Sequence, residues 1–356
     1  NNLLAVNDGA GSSASFTLTP SNPVYSNANK LVVGSYSLGI SGASTVNGGN
    51  FSNTITVTGA QQVNPKQITG TLSAGQTKVY DGNVLMPNAA IALGNVESGD
   101  IVTATGVSNY ANKNVGTNKQ YTINNIQLAG QDNGNYSVIT NFSDNNGAIT
   151  PKTVSLAVAP KVYDASTDMT GYVSITTGVG GETLTYNGAT SNDAHVATAD
   201  KYLNAITLGN ASDGSGGLAS NYQLPTLNAA NAPISITPKT VSLAVAPKVY
   251  DASTDMTGYV SITTGVGGET LTYNGATSND AHVATAGKYL NAITLGNASD
   301  GSGGLASNYQ LPTLNAANAL VTINPKTLTL TLTNSGYSQV YDCLLYTSPS
   351  PRDSMT

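Results

Sequence analysis

The feature that most constrains this chain of 356 residues is an internal repeat. The same Pro-Lys-Thr opening stands at residues 151, 238 and 325, so successive starts lie 87 residues apart. The stretches 151–232 and 238–319 differ at one position, where Asp200 faces Gly287. A fixed period of this length makes one period the structural module. We therefore expect tandem copies of one small fold that arose by recent duplication.

Residues 65–150 form an older copy of the same repeat. They carry Lys78-Val79-Tyr80-Asp81-Gly82 where the two later copies have Lys-Val-Tyr-Asp-Ala, and Val115-Gly116-Thr117 where the later copies have Val-Ala-Thr. An Asn135-Tyr136 element aligns with Asn-Tyr in both later copies. We predict six segments: a partial β repeat at 1–64, a diverged repeat at 65–150, two near-identical repeats at 151–237 and 238–324, a truncated repeat at 325–342, and a tail at 343–356.

The apolar residues within a repeat recur with a period of two, which is typical of half-buried strands. Val154, Leu156 and Val158 alternate with polar or small residues, and the same pattern predicts strands over 54–58 and 327–333. Tyr202, Asn204, Ile206 and Leu208 are predicted to share one face of a strand. We expect six or seven strands in a repeat and no helix longer than a turn. The predicted fold is all-β, with compact antiparallel modules that are sandwich-like or β-grasp-like.

The junctions between repeats are short. Residues 148–154 pass from the last strand of one repeat to the first strand of the next without a Gly/Ser-rich tether, and Pro151 fixes the backbone at the boundary. We therefore expect the modules to form a stiff, elongated rod.

The composition argues against several classes of function. Lys and Arg number 13 against 19 Asp and Glu, a formal net charge of −6, which disfavours a nucleic-acid partner. The chain has two His and one Cys, and no Ser, His, Cys or paired carboxylate pattern has the spacing of a known catalytic or zinc site. We predict that it is not an enzyme and that it carries no cofactor, metal, or catalytic or cofactor-binding residue.

Three sets of residues are candidate sites. The Tyr-Asp elements at 80–81, 163–164, 250–251 and 341–342 are predicted to be structural, because Asp bonds the backbone two residues on and Tyr packs beside it; exposed Tyr in ligand recognition is the alternative. Asp164, Asp168, Asp193 and Asp213 offer oxygens for Ca²⁺, but their spacing matches no calcium loop. His195 and His282 are one position in two copies and are predicted to be loop or surface imidazoles.

The Lys78 to Gly82 turn, the Val115-Gly116-Thr117 element, the Asn135-Tyr136 element and the closing Ile149-Thr150-Pro151 together resemble the YDG repeat domain. The N-terminal part is similar to MBG-type domains. The later copies depart from the pattern, with Ala165 and Ala252 at the turn glycine and Ala197 and Ala284 at the position of Gly116. Ala disfavours a backbone with positive φ, which leaves the geometry of the turn open.

The resemblance implies a region of a filamentous haemagglutinin-like exoprotein of Gram-negative bacteria, secreted to the cell surface with an outer-membrane secretion partner. We expect a structural stalk or spacer of a large adhesin, in which neighbouring repeats contact one another and a distal region binds host or environmental glycans or proteins. The alternative is that each repeat itself binds a carbohydrate or a host surface.

The last residues differ from the rest of the chain. The segment Cys343-Leu344-Leu345-Tyr346-Thr347-Ser348-Pro349-Ser350-Pro351-Arg352-Asp353 resembles a translated sequencing adapter, and it interrupts a Tyr-Asp element whose continuation is visible upstream. We predict that 343–356 is not biological and that it has no evolved structure.

Overall fold

The computed structural model describes residues 2–52, 54–72, 76–86, 91–138 and 141–331. The predicted tail at 343–356 and the Tyr-Asp element at 341–342 lie outside these residues. The described chain is β-structure and turns, with three single-turn 3₁₀ helices at Asn133–Asn135, Ala219–Asn221 and Ala306–Asn308. The all-β prediction is therefore confirmed. No helix among the described residues is long and apolar enough to cross a membrane.

The N-terminal region forms one antiparallel sheet in which each strand pairs with the next along the chain. Its strands are β1 (Asn2–Asn7), β2 (Ser13–Pro20), β3 (Gly34–Asn47) and β4 (Ala60–Val63). The predicted strand over 54–58 is wrong, because the described residues of this segment have no ladder partner and remain irregular.

The described residues of the repeat at 65–150 form seven strands in two sheets, of order β10-β5-β7 and β6-β11-β9-β8. These strands are β5 (Lys66–Leu72), β6 (Thr77–Val79), β7 (Ile91–Gly94), β8 (Thr103–Tyr110), β9 (Gly116–Ala129), β10 (Tyr136–Val138) and β11 (Asn141–Thr150). Two pairings, β10 with β5 and β11 with β6, are parallel, and the others are antiparallel. The parallel pairs bring the end of the repeat beside its beginning.

The later repeats have shorter strands in two-stranded ladders. The first contains β12 (Lys152–Thr153), β13 (Ser155–Val158), β14 (Lys161–Val162), β15 (Val173–Thr176), β16 (Thr185–Ser191), β17 (Leu203–Gly209), β18 (Tyr222–Gln223) and β19 (Ile236–Thr237). The second contains β20 (Lys239–Thr240), β21 (Ser242–Val245), β22 (Lys248–Val249), β23 (Val260–Thr263), β24 (Thr272–Ser278), β25 (Leu290–Gly296), β26 (Tyr309–Gln310) and β27 (Ile323–Asn324). As in the older repeat, the first strand of the copy at 238–324 pairs in parallel with the Asn-Tyr strand, and the Lys-Val strand pairs in parallel with the last.

A β-bulge changes which residues of β17 are buried. The pairing register shifts between Thr190 and Ser191, where one extra residue of β17 is accommodated. Leu203 and Ile206 are buried as a result, whereas Asn204 is exposed. The predicted shared face of Tyr202, Asn204, Ile206 and Leu208 is wrong, because a bulge interrupts strict alternation.

The predicted strand at 327–333 is not formed over its described part. Residues 327–331 are irregular, and the side chains of Leu328 and Leu330 are 81% and 86% exposed. An alternating sequence makes a strand only where another strand completes its hydrogen bonds, and no described strand pairs with this segment.

The described chain divides into two compact units. One comprises the residues up to Lys161 together with Ser166–Ala194 and Thr198–Ile236, and the other comprises Val162–Ala165, His195–Ala197 and the residues from Thr237 onwards. Two short segments of the repeat at 151–237 thus belong to the same compact unit as the repeat at 238–324.

The turn after the Tyr-Asp element keeps a left-handed backbone whether or not it contains glycine. Gly82 has a φ of 82°, and Ala165 and Ala252 have φ values of 63° and 65°. The turn geometry is therefore retained in the later copies, at a cost in backbone strain. Gly116 is different, because its φ is not positive and a Cβ there would meet only Lys119, at 3.8 Å. Ala197 and Ala284 fit that position without strain.

Replacing Ala165 with glycine is expected to raise the free energy of unfolding by about 0.5 to 1 kcal/mol. A left-handed alanine costs about 1 to 2 kcal/mol, and the larger conformational entropy that glycine loses on folding offsets part of the gain. Urea unfolding of the single variant measures the change. The control is Ala157→Gly, which changes another exposed alanine, within β13, and should destabilise. Equal effects of the two substitutions would contradict the strain at Ala165.

Asp200→Gly is expected to change the free energy of unfolding by less than about 0.5 kcal/mol, because exposed turn positions are permissive. Asp200 is exposed and has a φ of 50°, and Gly287 has a φ of 64° at the same place in the next copy. Glycine relieves the strain of the left-handed backbone, which stabilises the fold, but it also raises the entropy of the unfolded chain, which destabilises it. The two effects oppose each other. A urea-unfolding loss above about 2 kcal/mol would show that Asp200 has a structural role.

Candidate functional site

The Tyr-Asp turn is held by a buried lysine. The Nζ of Lys78 donates to the carbonyl oxygens of Asn83 and Leu85, both at 2.8 Å, and pairs with the Asp81 carboxylate at 2.7 Å. Asp81 in turn accepts a hydrogen bond from the backbone N–H of Asn83 at 3.1 Å, the local contact that the sequence predicts. Because the ammonium bonds several carbonyls of the loop, it fixes the path of the chain after the tyrosine.

The turn places its tyrosine at the end of the repeat. The backbone N–H of Tyr80 donates to the carbonyl of Thr150, and that of Tyr250 donates to the carbonyl of Asn324, each at 2.9 Å. Thr150 and Asn324 are the last residues of their repeats. The tyrosine side chain is therefore fixed where one repeat ends and the next begins.

In the first compact unit, the hydroxyl of Tyr80 reaches a glutamate of the following repeat. Tyr80 donates to Oε1 of Glu182 at 2.7 Å, and Tyr222 donates to Oε2 at 2.6 Å. The rings of Tyr80 and Tyr222 meet edge to face with centroids 5.3 Å apart. The Glu182 side chain is 5% exposed and Tyr80 is 1% exposed. One carboxylate thus binds a tyrosine from each of two repeats.

Lys113 completes the charge balance of this group. Its Nζ lies 2.5 Å from Oε1 of Glu182. Burial acts to raise the pKa of Glu182, but the hydrogen bonds from Lys113, Tyr222 and Tyr80 outweigh it and hold the pKa below its ordinary value of 4.5. Burial, and then the hydrogen bond to Glu182, raises the pKa of Tyr80. At neutral pH the glutamate is therefore an anion, and the tyrosines are protonated donors.

The second compact unit contains the same arrangement. Tyr163 donates to Oε1 of Glu269 at 2.7 Å, Tyr309 donates to Oε2 at 2.6 Å, and the two rings meet edge to face at 5.4 Å. The sequence differs at two positions: aligning Val115 with Val196 puts Ala194 at the position of Lys113 and His195 at the position of Asn114.

A backbone contact accompanies these groups. The N–H of a valine donates to the side-chain oxygen of the asparagine in the Asn-Tyr element of the following repeat, and the pairs are Val33 with Asn135 (3.0 Å), Val115 with Asn221 (2.9 Å) and Val196 with Asn308 (2.9 Å). Asn221 and Asn308 are fully buried at the ends of their 3₁₀ turns. Because the donor is a backbone N–H, the bond does not depend on the side chains beside it.

We call each of these contacts between successive repeats a joint. The joint nearest the N-terminus uses a different carboxylate. Tyr136 donates to Oδ2 of Asp100 at 2.6 Å, and Oδ1 of Asp100 accepts from the backbone N–H of Ala28 at 2.6 Å. The neighbouring Glu97 forms a partly exposed ion pair with Lys66. A carboxylate that accepts from the Asn-Tyr tyrosine is therefore common to all three joints.

The hydrophobic core of the repeat at 65–150 continues into the next repeat. Tyr80, Tyr121 and Ile149 belong to one cluster of buried side chains with Val154 and Tyr222. We call Tyr163, His195, Val196 and their equivalents the outgoing face of a repeat, and Glu269, Asn308, Tyr309 and their equivalents the incoming face. The joint is thus an extension of the core with a polar centre.

The structure does not bring the calcium candidates together. Asp168 accepts from the N–H and hydroxyl of Thr170, and Asp213 accepts from the hydroxyl of Thr183 at 2.7 Å. No group of three or more His, Cys, Asp or Glu residues within the described ranges is arranged to hold a metal ion. These aspartates stabilise turns.

The two histidines have different surroundings although their local sequences are the same. The His282 side chain is 75% exposed and lies 2.9 Å from Asp280, as expected for a surface imidazole. The Nδ1 of His195 instead lies 2.9 Å from the side-chain nitrogen of Asn308, and its ring stacks on Tyr163. His195 is part of a joint, which the sequence did not predict.

The sequence prediction also missed the joint glutamates. The chain contains only three Glu residues, Glu97, Glu182 and Glu269, and two of them lie 87 residues apart in a glycine-rich loop. Their rarity and their periodic spacing were the available signal. Spacing alone does not show that a loop glutamate meets a tyrosine about 100 residues away.

Acid is expected to weaken the Glu182 joint. Because the folded pKa of Glu182 lies below the ordinary 4.5, its contribution to stability is complete above about pH 4.5 and is lost as the pH falls through the folded value. The urea midpoint, measured from neutral pH downwards, should fall in this range. Glu182→Gln should remove that part of the pH dependence, and an unchanged profile in the variant would contradict the assignment.

These observations define an all-β tandem-repeat protein whose repeats are joined through buried tyrosine, carboxylate and asparagine contacts. Residues 64–144 match the sequence profile of the YDG domain, so this part of the chain is a YDG-type region. No curated protein and no solved structure matches the chain.

Proposed function

We propose that the chain is a structural stalk or spacer segment of a large secreted adhesin of the filamentous haemagglutinin-like type, on the surface of a Gram-negative bacterium. Its repeats hold a distal binding region away from the cell. The YDG-type region at 64–144 supports this class of exoprotein. The resemblance of the N-terminal part to MBG-type domains is consistent with the same class. Export through an outer-membrane partner belongs to this proposal.

The observation that carries the proposal is the recurrence of the joint. The Val-to-Asn bond occurs three times at 2.9 to 3.0 Å, and the Tyr-Glu-Tyr group occurs twice with nearly the same distances. Buried, hydrogen-bonded contacts between successive repeats resist bending better than a flexible tether does. A spacer needs this property, whereas a set of independent binding modules does not.

The same geometry argues against catalysis at the joint. Tyr, Glu and Lys side chains are common catalytic groups, but Glu182 is 5% exposed and its carboxylate already binds two tyrosines and a lysine. A substrate would have to separate two repeats to reach it. We expect no turnover on a panel of model glycosides.

The test uses the intact surface protein that carries this chain. Deleting residues 238–324 should shorten the distance between the cell surface and the binding region, and duplicating them should lengthen it, while the purified proteins keep equal affinity for the ligand. Cell-adhesion assays and electron microscopy of labelled binding regions measure the two effects. Glu269→Ala, which breaks a joint without changing the length, is the control. Loss of ligand affinity in the deletion would overturn the proposal.

A glycan array with the full chain separates the spacer from the carbohydrate-binding alternative. The spacer proposal predicts no array signal. Micromolar binding that is lost on substitution of exposed Tyr or Asn in the repeats would favour the alternative.

A further inference from the structure

The near-identical repeats at 151–237 and 238–324 allow one set of side chains to be compared in two environments. Tyr163 is 1% exposed, whereas the equivalent Tyr250 is only half-buried. His195 is partly buried, whereas the His282 side chain is 75% exposed. Because the local sequences are the same, the difference comes from what covers each face.

The cover of the first face is known in detail. Within the second compact unit, Glu269 accepts from Tyr163, and Asn308 Oδ1 accepts from the N–H of Val196 while its Nδ2 donates to His195. Tyr309 completes the contact with its ring edge. The partner of an outgoing face is therefore an incoming face that carries Glu, Asn and Tyr at these three positions.

The histidine has a different hydrogen-bond role in the two environments. The N–H of Val196 can only donate, so the side-chain atom of Asn308 that faces it must be the oxygen. The amide nitrogen of Asn308 therefore faces His195. An amide nitrogen only donates, and Nδ1 of His195 must therefore accept. The proton of a neutral His195 ring is then on Nε2.

His282 requires the opposite tautomer. Hydrogen bonds from the backbone N–H and the side chain of His282 lower the pKa of Asp280 to about 2, so this carboxylate is ionised at neutral pH and only accepts. The Nδ1 of His282, 2.9 Å from Oδ1 of Asp280, must donate. The exposed ring of His282 is thus the Nδ1–H tautomer, and the partly buried ring of His195 is the Nε2–H tautomer.

We propose that Tyr250, His282 and Val283 form a docking surface for a further repeat with an incoming face like that of residues 238–324. Docking transfers Nδ1 of His282 from Asp280 to the asparagine amide of the arriving repeat and changes the tautomer of the ring. The proposal extends the stacking of repeats on which the proposed function rests, and it gives the outgoing faces of the two later repeats a spectroscopic marker of their occupancy.

The experiment is histidine NMR on the full chain, which contains only two His. Two-bond ¹H–¹⁵N spectra at about pH 8.5, above the ordinary pKa of histidine, distinguish Nδ1–H from Nε2–H rings. His195→Gln and His282→Gln assign the signals. We expect one ring of each tautomer, and two rings of the same tautomer would overturn the proposal.

An extended chain tests docking itself. A second copy of residues 238–324 inserted after Asn324 adds a third histidine, and we expect two Nε2–H rings and one Nδ1–H ring. One Nε2–H ring and two Nδ1–H rings would overturn the proposal, as would an added repeat that remains unfolded by circular dichroism. Asn308→Ala made only in the added copy should return His282 to the Nδ1–H form.

The natural chain provides a matched pair of variants. Asn308→Ala should shift His195 to the Nδ1–H form, because the donor to Nδ1 is removed. Asn221→Ala removes the same residue from the preceding joint, where its amide faces Asn114 instead of a histidine, and should leave both rings unchanged. An unchanged His195 signal in Asn308→Ala would overturn the proposal. A failed glycan-array or deletion test of the stalk would leave all of these results unaffected.

Discussion

Replacing Glu269 with alanine is expected to lower the free energy of unfolding by about 3 kcal/mol, because each buried polar group left without a partner costs about 1 to 3 kcal/mol. The carboxylate accepts from the hydroxyls of Tyr163 and Tyr309, and the two tyrosines are 1% and 5% exposed. Both hydroxyls are buried, so removing the glutamate takes away the acceptor that each of them bonds in the folded protein. Urea unfolding, followed by tyrosine fluorescence, measures the loss.

Glu97→Ala is the matched control for this prediction. Glu97 pairs with Lys66 at the surface, and the two side chains are 34% and 46% exposed. Solvent screening limits such a pair to about 1 kcal/mol or less. A Glu269→Ala loss as small as that of Glu97→Ala would mean that the joint contributes little to stability.

The second large effect is expected at the buried lysine of the Tyr-Asp turn. Lys248 is 3% exposed, and its Nζ donates to the carbonyls of Ser253 at 3.0 Å and Asp255 at 2.7 Å and pairs with Asp251. Methionine fills the space of the aliphatic stem but removes all three contacts. We expect Lys248→Met to cost about 2 to 4 kcal/mol, since hydrogen bonds to charged groups contribute about 1.5 to 3 kcal/mol each.

Urea unfolding of Lys248→Met and Lys66→Met compares a buried with an exposed lysine. The exposed substitution should change stability by less than about 1 kcal/mol. Hydrogen exchange of the turn amides should also increase in Lys248→Met, because the ammonium holds the loop. If those amides in Lys248→Met were as protected from exchange as in the wild type, the turn would form without the lysine.

Much of the fold could be predicted from the sequence because it depends on local patterns. The period of two in β13 and the 87-residue repeat both follow from spacing along the chain, and both describe the structure well. The turn bond of Asp81 to the N–H of Asn83 is equally local. Where tertiary contacts decide, the same reasoning fails: the bulge in β17 moved burial from Asn204 to Leu203.

The joint could be predicted only in part. The Tyr-Asp and Asn-Tyr elements, and the Val-Gly element that is Val-Ala in the later copies, were recognisable because they recur at matching places. Their meeting depends on two parallel pairings, of the first strand with the Asn-Tyr strand and of the Lys-Val strand with the last strand. Tyr163 and Glu269 are separated by more than 100 residues. No local sequence pattern indicates that two residues so far apart along the chain are in contact. The different surroundings of His195 and His282 cannot be predicted either, because the sequences around them are identical.

The outgoing and incoming faces of a repeat both lie within one 87-residue period, and this has a consequence for the gene. Recombination between two near-identical copies removes or adds a whole period at any crossover point within them. Each product keeps both faces in every remaining copy, so a copy still meets on either side the kind of face that it met before. Because every copy carries both faces, the number of repeats can vary between generations without compensating mutations elsewhere in the protein.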